Sequence, residues 1–190
     1  MSKILQADAL ELRVCDSALL QQALRGDQVL AELLGVVVPA NWTASRRETL
    51  QYVLQKLTAD ANQQHWWTYL AIYRPDNKLI GSGGYHGPPT ANGVVELGYE
   101  IEPDYQGRGL ATAFTRALVI NAFAEAQVTA IIAHTLAKDS PSTSVLSRNG
   151  FSKVAEFNDP AEGMLWRWQV VRPASRPVPK QALARASQTP

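Results

Sequence analysis

The sequence predicts an α+β domain in which helices pack on one mixed, mostly antiparallel sheet. Apolar residues recur at helical spacing in some segments and alternate in others. The middle of the chain carries three strand-like runs joined by short turns, the signature of an antiparallel meander. Read along the chain, the order is β-α-α-β-β-β-α-β-α-β-β, a plan that puts helices on the faces of a sheet.

Residues 10–15 (LELRVC) alternate as a strand does. Asp16 stands where it can cap a helix whose face carries Leu19, Leu20, Ala23 and Leu24, with Gly26 near its end. Residues 39–42 read as a loop. A second helix is expected over 45–57, because Leu50, Val53, Leu54 and Leu57 share one face. From Trp66 the period changes. Residues 66–73 are rich in β-formers, Arg74-Pro75-Asp76-Asn77 is a turn, and 78–86 is a strand holding Gly81, Gly83 and Gly84. Residues 87–93 break the chain, and 94–101 form a third strand stopped by Pro103. A long helix is expected over 107–125, burying Leu110, Phe114, Ala117, Leu118, Asn121 and Ala122. Residues 130–135 read as a buried strand. Ser140-Pro141 is an N-cap followed by proline at the first helical position, and Asn149-Gly150 ends that short helix. Strands over 151–157 and 164–171 complete about seven strands and about four helices.

A chain of 190 residues can bury a core, and its 46% hydrophobic and 18% charged content is that of a globular domain. One domain is expected over 1–171. Residues 172–190 hold four basic residues, no acid and no apolar period, so a disordered basic tail is expected there. The formal +1 therefore leaves a mildly acidic body, which argues against nucleic acid as ligand. Cys15 is the one cysteine, so no internal disulfide can form, and a single thiol fits a reducing compartment. No apolar run reaches membrane-spanning length, and Asp8 and Glu11 interrupt any leader-like start, so a cytoplasmic protein without membrane contact is expected. His65, His86 and His134 lack metal-ligand spacing, so no metal is expected. Monomer and homodimer both stay open.

The most informative run is residues 101–111 (IEPDYQGRGLA). A strand ends, a short loop turns, and two glycines open a helix. The first helical turn offers unpaired N–H groups and about half a positive charge, and small residues let phosphates approach them. A pyrophosphate would use several of these groups at once. A P-loop is excluded because the helix opens Gly-Leu-Ala-Thr instead of Gly-Lys-Ser/Thr. A dinucleotide fold is excluded because the turn follows a meander and lacks a third glycine in register. Gly81-Ser82-Gly83-Gly84 is no nucleophile elbow; it reads as a bulged strand where backbones approach closely.

Gln106-x-x-Gly109-x-Ala111 resembles the Gln/Arg-x-x-Gly-x-Gly/Ala signature of the GNAT superfamily of N-acetyltransferases. Val95-Glu96-Leu97-Gly98-Tyr99-Glu100-Ile101-x-Pro103, Ala133-His134-Thr135 and Ser142-x-x-Val145-Leu146-x-x-x-Gly150-Phe151 resemble flanking motifs of its ribosomal-protein N-terminal-alanine acetyltransferase branch. The likeness spans roughly residues 8–171.

The resemblance implies the GNAT fold and acetyl-coenzyme A as co-substrate. It implies that backbone amides of Gln106, Gly107, Arg108, Gly109, Leu110, Ala111 and Thr112 hold the pyrophosphate, and that the pantetheine arm pairs with the main chain from Tyr99 to Ile101. Asp139 stands where the family commonly has Asn at the pantetheine; it can accept a hydrogen bond there but not donate one. Val145-Leu146 stands where many members carry a tyrosine that protonates the leaving thiolate, and Ser142 occupies the position to which the resembled branch gives that task. Glu96 is the expected base, working through a water, with Glu100 behind it. Two-residue periodicity puts Glu96, Gly98 and Glu100 on one side of the strand.

The expected reaction is direct acetyl transfer to a primary amine, either a protein N-terminus or a small molecule, with Cys15 too far from the motif to be a nucleophile. The other reading is an acyl-coenzyme A sensor that binds without turnover. An α-amine has a pKa near 8 and a lysine one near 10.4; freeing the lysine at neutral pH costs about 4–5 kcal/mol. An N-terminal amine thus needs only a weak base. Loops 35–45 and 86–93 are expected to shape the acceptor site. Trp42, Trp66 and Trp67 are expected in the core, His86 in a turn, and His134 on a buried strand.

Overall fold

The computed structural model describes residues 4–173. One sheet of eight strands runs in the order β1-β2-β3-β4-β5-β6-β8-β7. The strands are β1 (Ile4–Ala7), β2 (Leu10–Val14), β3 (Thr68–Tyr73), β4 (Lys78–Tyr85), β5 (Val94–Ile101), β6 (Ala130–Leu136), β7 (Ser152–Asp159) and β8 (Gly163–Val171). Every neighbouring pair is antiparallel except β5 and β6. The expected meander is β3-β4-β5.

The α-helices are α1 (Ser17–Ala23), α2 (Asp27–Leu34), α3 (Trp42–Ser45), α4 (Arg47–Ala59), α5 (Leu110–Ala124) and α6 (Pro141–Arg148). Strands and helices are both more numerous than the sequence reading expects. β1 is only four residues long and buries little, so it leaves no alternation to read. It exists because Asp8, at φ 52°, turns the chain back onto β2. α2 buries Leu30 and Leu34, four residues apart, between Gly26 at its start and a left-handed Gly35 at its end. Gly35 stops the helix before the expected loop, and α3 starts at Trp42, the last residue of that loop.

The sheet lies between two apolar layers, because β3 and β4 bury both faces. Tyr69, Ala71 and Ile80 pack with Phe114, Leu118 and Ala122 of α5. Leu70, Ile72 and Leu79 pack with Leu20 of α1, Leu30 of α2 and Leu50 of α4. Trp42 and Trp66 are core residues, as expected. A polar bridge crosses the α5 layer. Asn121 donates to the Tyr85 hydroxyl at 3.0 Å and to the Tyr69 hydroxyl at 3.2 Å. Those hydroxyls donate in turn to the Leu118 and His65 carbonyls, so the polar groups of this bridge are satisfied.

At its far end the chain ties back. Arg172 donates to the carbonyls of Phe123, Glu125 and Val128 at 2.7, 2.5 and 2.8 Å, closing the C-terminus of α5. The sequence reading puts Arg172 in the tail; the structure puts it in the fold. The rest of that expected tail, from residue 174, lies outside the described residues. Among the described residues no helix is long and apolar enough to cross a membrane.

Candidate active site

The parallel ladder between β5 and β6 is short. It runs from Val94↔Ala130 to Glu96↔Ile132 and stops. Beyond it β5 continues against β4 and β6 continues against β8. The two strands therefore splay, and a cleft of about 300 Å³ opens between Leu97, Gly98 and Tyr99 on one side and Ala133, His134 and Thr135 on the other. The β5 edge facing this cleft carries no ladder partner past Glu96, so an extended ligand can add to it as a strand would.

Where β5 ends, the glycine turn begins. Gln106 donates from its side chain to the Ile101 carbonyl at 2.9 Å, which folds the loop under the strand. Gly107 and Gly109 take φ of 73° and 76°, left-handed values that favour glycine. α5 starts at Leu110, three residues later than expected, because these two glycines turn the chain first. No side chain caps its first turn, so its N–H groups are left for a ligand. They face a cavity of about 430 Å³, walled by Ile101, Gln106, Gly107, Gly109, Leu110, Ala111 and Thr112. The opposite wall is α6, with Ser142, Val145 and Arg148.

Tyr99 is the residue these cavities share with a third one. Its hydroxyl donates to the Ser142 carbonyl at 3.3 Å, and burial pushes its pKa up to about 12. The third cavity, of about 740 Å³, lies on the other side of β5, between α4 and the β3-β4-β5 meander. Arg46, Glu48, Thr49 and Tyr52 form its helical wall, and Trp67, His86 and Gly98 its sheet wall. Of the two loops expected to shape an acceptor site, Ser45 and His86 are the residues that reach it.

Glu96 sits behind this surface. Its Oε1 is 2.9 Å from Nδ1 of His134 and 3.2 Å from Nδ1 of His86. The hydrogen bond from His86, helped by that from His134, outweighs burial and brings the Glu96 carboxyl down to about 2. The same bond raises the His86 pKa against the opposing effect of burial. Arg167 donates to Nε2 of His134 at 3.2 Å, so the proton of His134 is on Nδ1 and points at Glu96. The expected periodicity holds: Glu96 and Gly98 share a face, and a Cβ on Gly98 would come within 3.1 Å of His86 Nε2. Glu100 shares that face and is bound by Arg46, which also reaches Glu102 at 3.0 Å.

The acetyltransferase (GNAT) domain family matches residues 11–152. The chain belongs to the GNAT acetyltransferases. A Bacillus subtilis relative named as the uncharacterized N-acetyltransferase YjdG is 23% identical over 158 residues, covering 81% of this chain and 94% of that protein. Solved acetyltransferase structures share the fold. The ribosomal-protein-S5-alanine acetyltransferase of Vibrio fischeri superposes with a TM-score of 0.66 at 14% identity, over 92% of this chain and 100% of that one. Mycobacterium smegmatis RimJ in complex with CoA-disulfide superposes with a TM-score of 0.62 at 18% identity, over 90% of this chain and 86% of that one.

As a GNAT enzyme the chain is an acetyl-CoA-dependent acyltransferase. Tyr99, Ile101, Gln106, Gly107, Gly109, Leu110, Ala111 and Thr112 stand together, with Ser142 opposite. Arg108 turns away and lies over the Tyr105 ring at 4.8 Å. Asp139 is exposed and borders none of the three cavities. Ser140, not Asp139, caps α6, with its Oγ accepting from Thr143 at 3.4 Å. Glu96 also borders none of them, and its Oε1 is taken up by the two imidazoles. The sequence reading misses Arg148, among the described residues the one basic side chain lining the α5 cavity. A basic residue in the last turn of a predicted helix beside a phosphate turn is the signal that could have found it. It also misses the pairing of His86 and His134 on Glu96. Cys15 is fully buried and its pKa is pushed up, by burial first and by Asp16 second, so its thiol is inert. Among the described residues no group of three or more His, Cys, Asp or Glu side chains is arranged to hold a metal ion.

Proposed function

We propose that this enzyme moves the acetyl group of acetyl-CoA onto a primary amine by direct attack. One observation carries the reading: Tyr99 and its β5 neighbours border the α5 and β5–β6 cavities on one side and a separate cavity of about 740 Å³ on the other. Free N–H groups at α5 suit the pyrophosphate, with Arg148 adding a charge, and the open β5 edge suits the pantetheine arm. A thioester delivered along that edge would meet an amine arriving from the 740 Å³ cavity near Gly98.

The acceptor side favours a cation. Arg46 is matched by Glu100 and Glu102, and Glu48 adds a further carboxylate. Tyr52 and Trp67, edge to face at 5.9 Å, add aromatic surface. The Vibrio fischeri neighbour is a ribosomal-protein-S5-alanine acetyltransferase, so a peptide N-terminus is the first acceptor to test and a small amine the second. Ser142, on the cavity wall shared by the α5 and β5–β6 clefts, is the hydroxyl we assign to meet the leaving thiolate.

The test combines calorimetry with coenzyme A and release of free thiol from acetyl-CoA. The amines are short peptides with free N-terminal alanine or serine and a set of small aliphatic amines. Binding and turnover on one acceptor class are expected. Tight binding with no turnover on any amine would instead show a sensor that keeps the coenzyme site.

A further inference from the structure

We propose that His86 is the base that frees the acceptor amine of its proton, and that Glu96 acts through it as a positioning residue. This rests on the acetyl-transfer reading above. His86 follows β4 directly, and its backbone N–H bonds the Glu96 carbonyl at 3.0 Å, which fixes where the ring starts. Its side chain is 62% exposed and forms part of the 740 Å³ cavity wall. Nδ1 faces Glu96 at 3.2 Å, so Nε2 is the nitrogen left for substrate. Nε2 lies over Gly98, where any side chain would press on the ring.

The neighbouring histidine cannot do the same work. His134 has both nitrogens engaged, Nδ1 with Glu96 at 2.9 Å and Nε2 with Arg167 at 3.2 Å. It and Arg167 hold Glu96 in place from β6 and β8. Glu96 itself is a poor base, being ionised far below neutrality with its Oε1 held by both imidazoles. Its fixed negative charge favours the imidazolium of His86, which brings that ring's pKa toward the working pH of an acid–base catalyst. The other charged or titratable groups around the cavity are Arg46, Glu48 and Tyr52 at the start of α4, Glu100 and Tyr99 on β5, and Tyr85 on β4.

The proton accounting closes. The acceptor enters as an ammonium ion. Nε2 of His86 takes one proton and leaves a neutral amine, whose lone pair forms the C–N bond to the thioester carbon. The C–S bond breaks with its electron pair on sulfur. The second amine proton ends on that thiolate, and His86 returns the first to water, so one proton is released per acetyl group.

The experiment uses the full chain, acetyl-CoA and whichever peptide or small amine the wild type acetylates, with kcat measured at saturating acceptor from about pH 5.5 to 9. His86→Gln is expected to lower kcat by about 10²-fold or more and to remove the acid limb of its pH profile. Coenzyme A affinity by calorimetry is expected to stay within about twofold, which also shows that the variant is folded. Added imidazole is expected to restore part of the lost rate. Glu96→Gln is expected to keep an acid limb but move it to lower pH, because His86 loses its carboxylate partner. A His86→Gln enzyme with wild-type kcat and an intact limb overturns the assignment. So does a limb that disappears in Glu96→Gln and survives in His86→Gln. If the wild type binds coenzyme A but acetylates no amine, the acetyl-transfer reading fails in its own arm and this assignment falls with it.

Discussion

Two imidazoles on one carboxylate oxygen make the ionised form of Glu96 part of the folded state. Its folded pKa of about 2 lies below the ordinary 4.5, so its contribution to stability is complete above pH 4.5 and is lost as pH falls toward 2. His86 works in the opposite sense. Its pKa is raised above 6.5, so its contribution is complete below 6.5 and is lost as pH climbs through the raised value. The pair therefore supports the fold most between about pH 4.5 and 6.5. The gap in Tm between the wild type and Glu96→Gln is expected to be widest there and to shrink on acidification toward pH 3. A gap that stays constant from about pH 6 to 3 would reject this linkage. Glu96 could be picked from the sequence as a strand carboxylate beside the signature. Its partners could not, because they reach it through two strand registers that no local pattern encodes: His86 from the preceding hairpin arm and His134 from the parallel neighbour 38 residues on.

Among elements, the glycine-bearing strand and the glycine turn use glycine for different reasons. Gly84 has φ 150°, and a Cβ there would lie 1.8 Å from the Trp67 carbonyl oxygen, a backbone atom that cannot step aside. The sequence reading expected a bulge at these glycines. The structure has it: the register steps from Ala71↔Gly81 to Ile72↔Leu79, which leaves Ile80 of β4 as the extra residue beside Gly81, and Gly81, Gly83 and Gly84 also allow close backbone approach. Gly107 has φ 73° and open space where a Cβ would go, so alanine there meets only backbone strain. Gly84→Ala is expected to cost more than about 2 kcal/mol, and Gly107→Ala about 1 kcal/mol. Urea unfolding of both variants checks the order; equal midpoints would contradict it. The turn was legible because its chemistry is local: proline stops a strand, and glycines start a helix. The acceptor wall on α4 was not, since nothing in residues 46–52 marks them as facing a sheet edge that lies far along the chain.

At the scale of the molecule, the cleft exists because β6 leaves β5 after three pairs and is held instead by β8. Whatever fixes the end of β8 therefore also fixes the frame around the cleft, and Arg172 stands one residue beyond that strand. Its guanidinium serves three carbonyls near the C-terminus of α5 and lies 5.4 Å from the Phe123 ring. A cation at that end of a helix answers both the unpaired carbonyls and the negative pole of the dipole. Composition alone assigns Arg172 to a basic tail, because its partners lie more than forty residues earlier in the chain. Arg172→Ala is expected to cost about 2 kcal/mol, since hydrogen bonds to a charged group are lost and three carbonyls are left partly buried. For a domain of this size that is a fall in Tm of about 4–8 °C. Arg172→Lys is expected to recover less than half, because an ammonium lacks the planar fork that reaches several acceptors at once. Scanning calorimetry of the three proteins decides it, and a fall below about 1 °C for the alanine variant would show that β8 is held by its ladder alone. Coenzyme A affinity of Arg172→Ala is expected to match the wild type, since the α5 N-terminus that faces the coenzyme path lies at the opposite end of the helix from the carbonyls Arg172 serves.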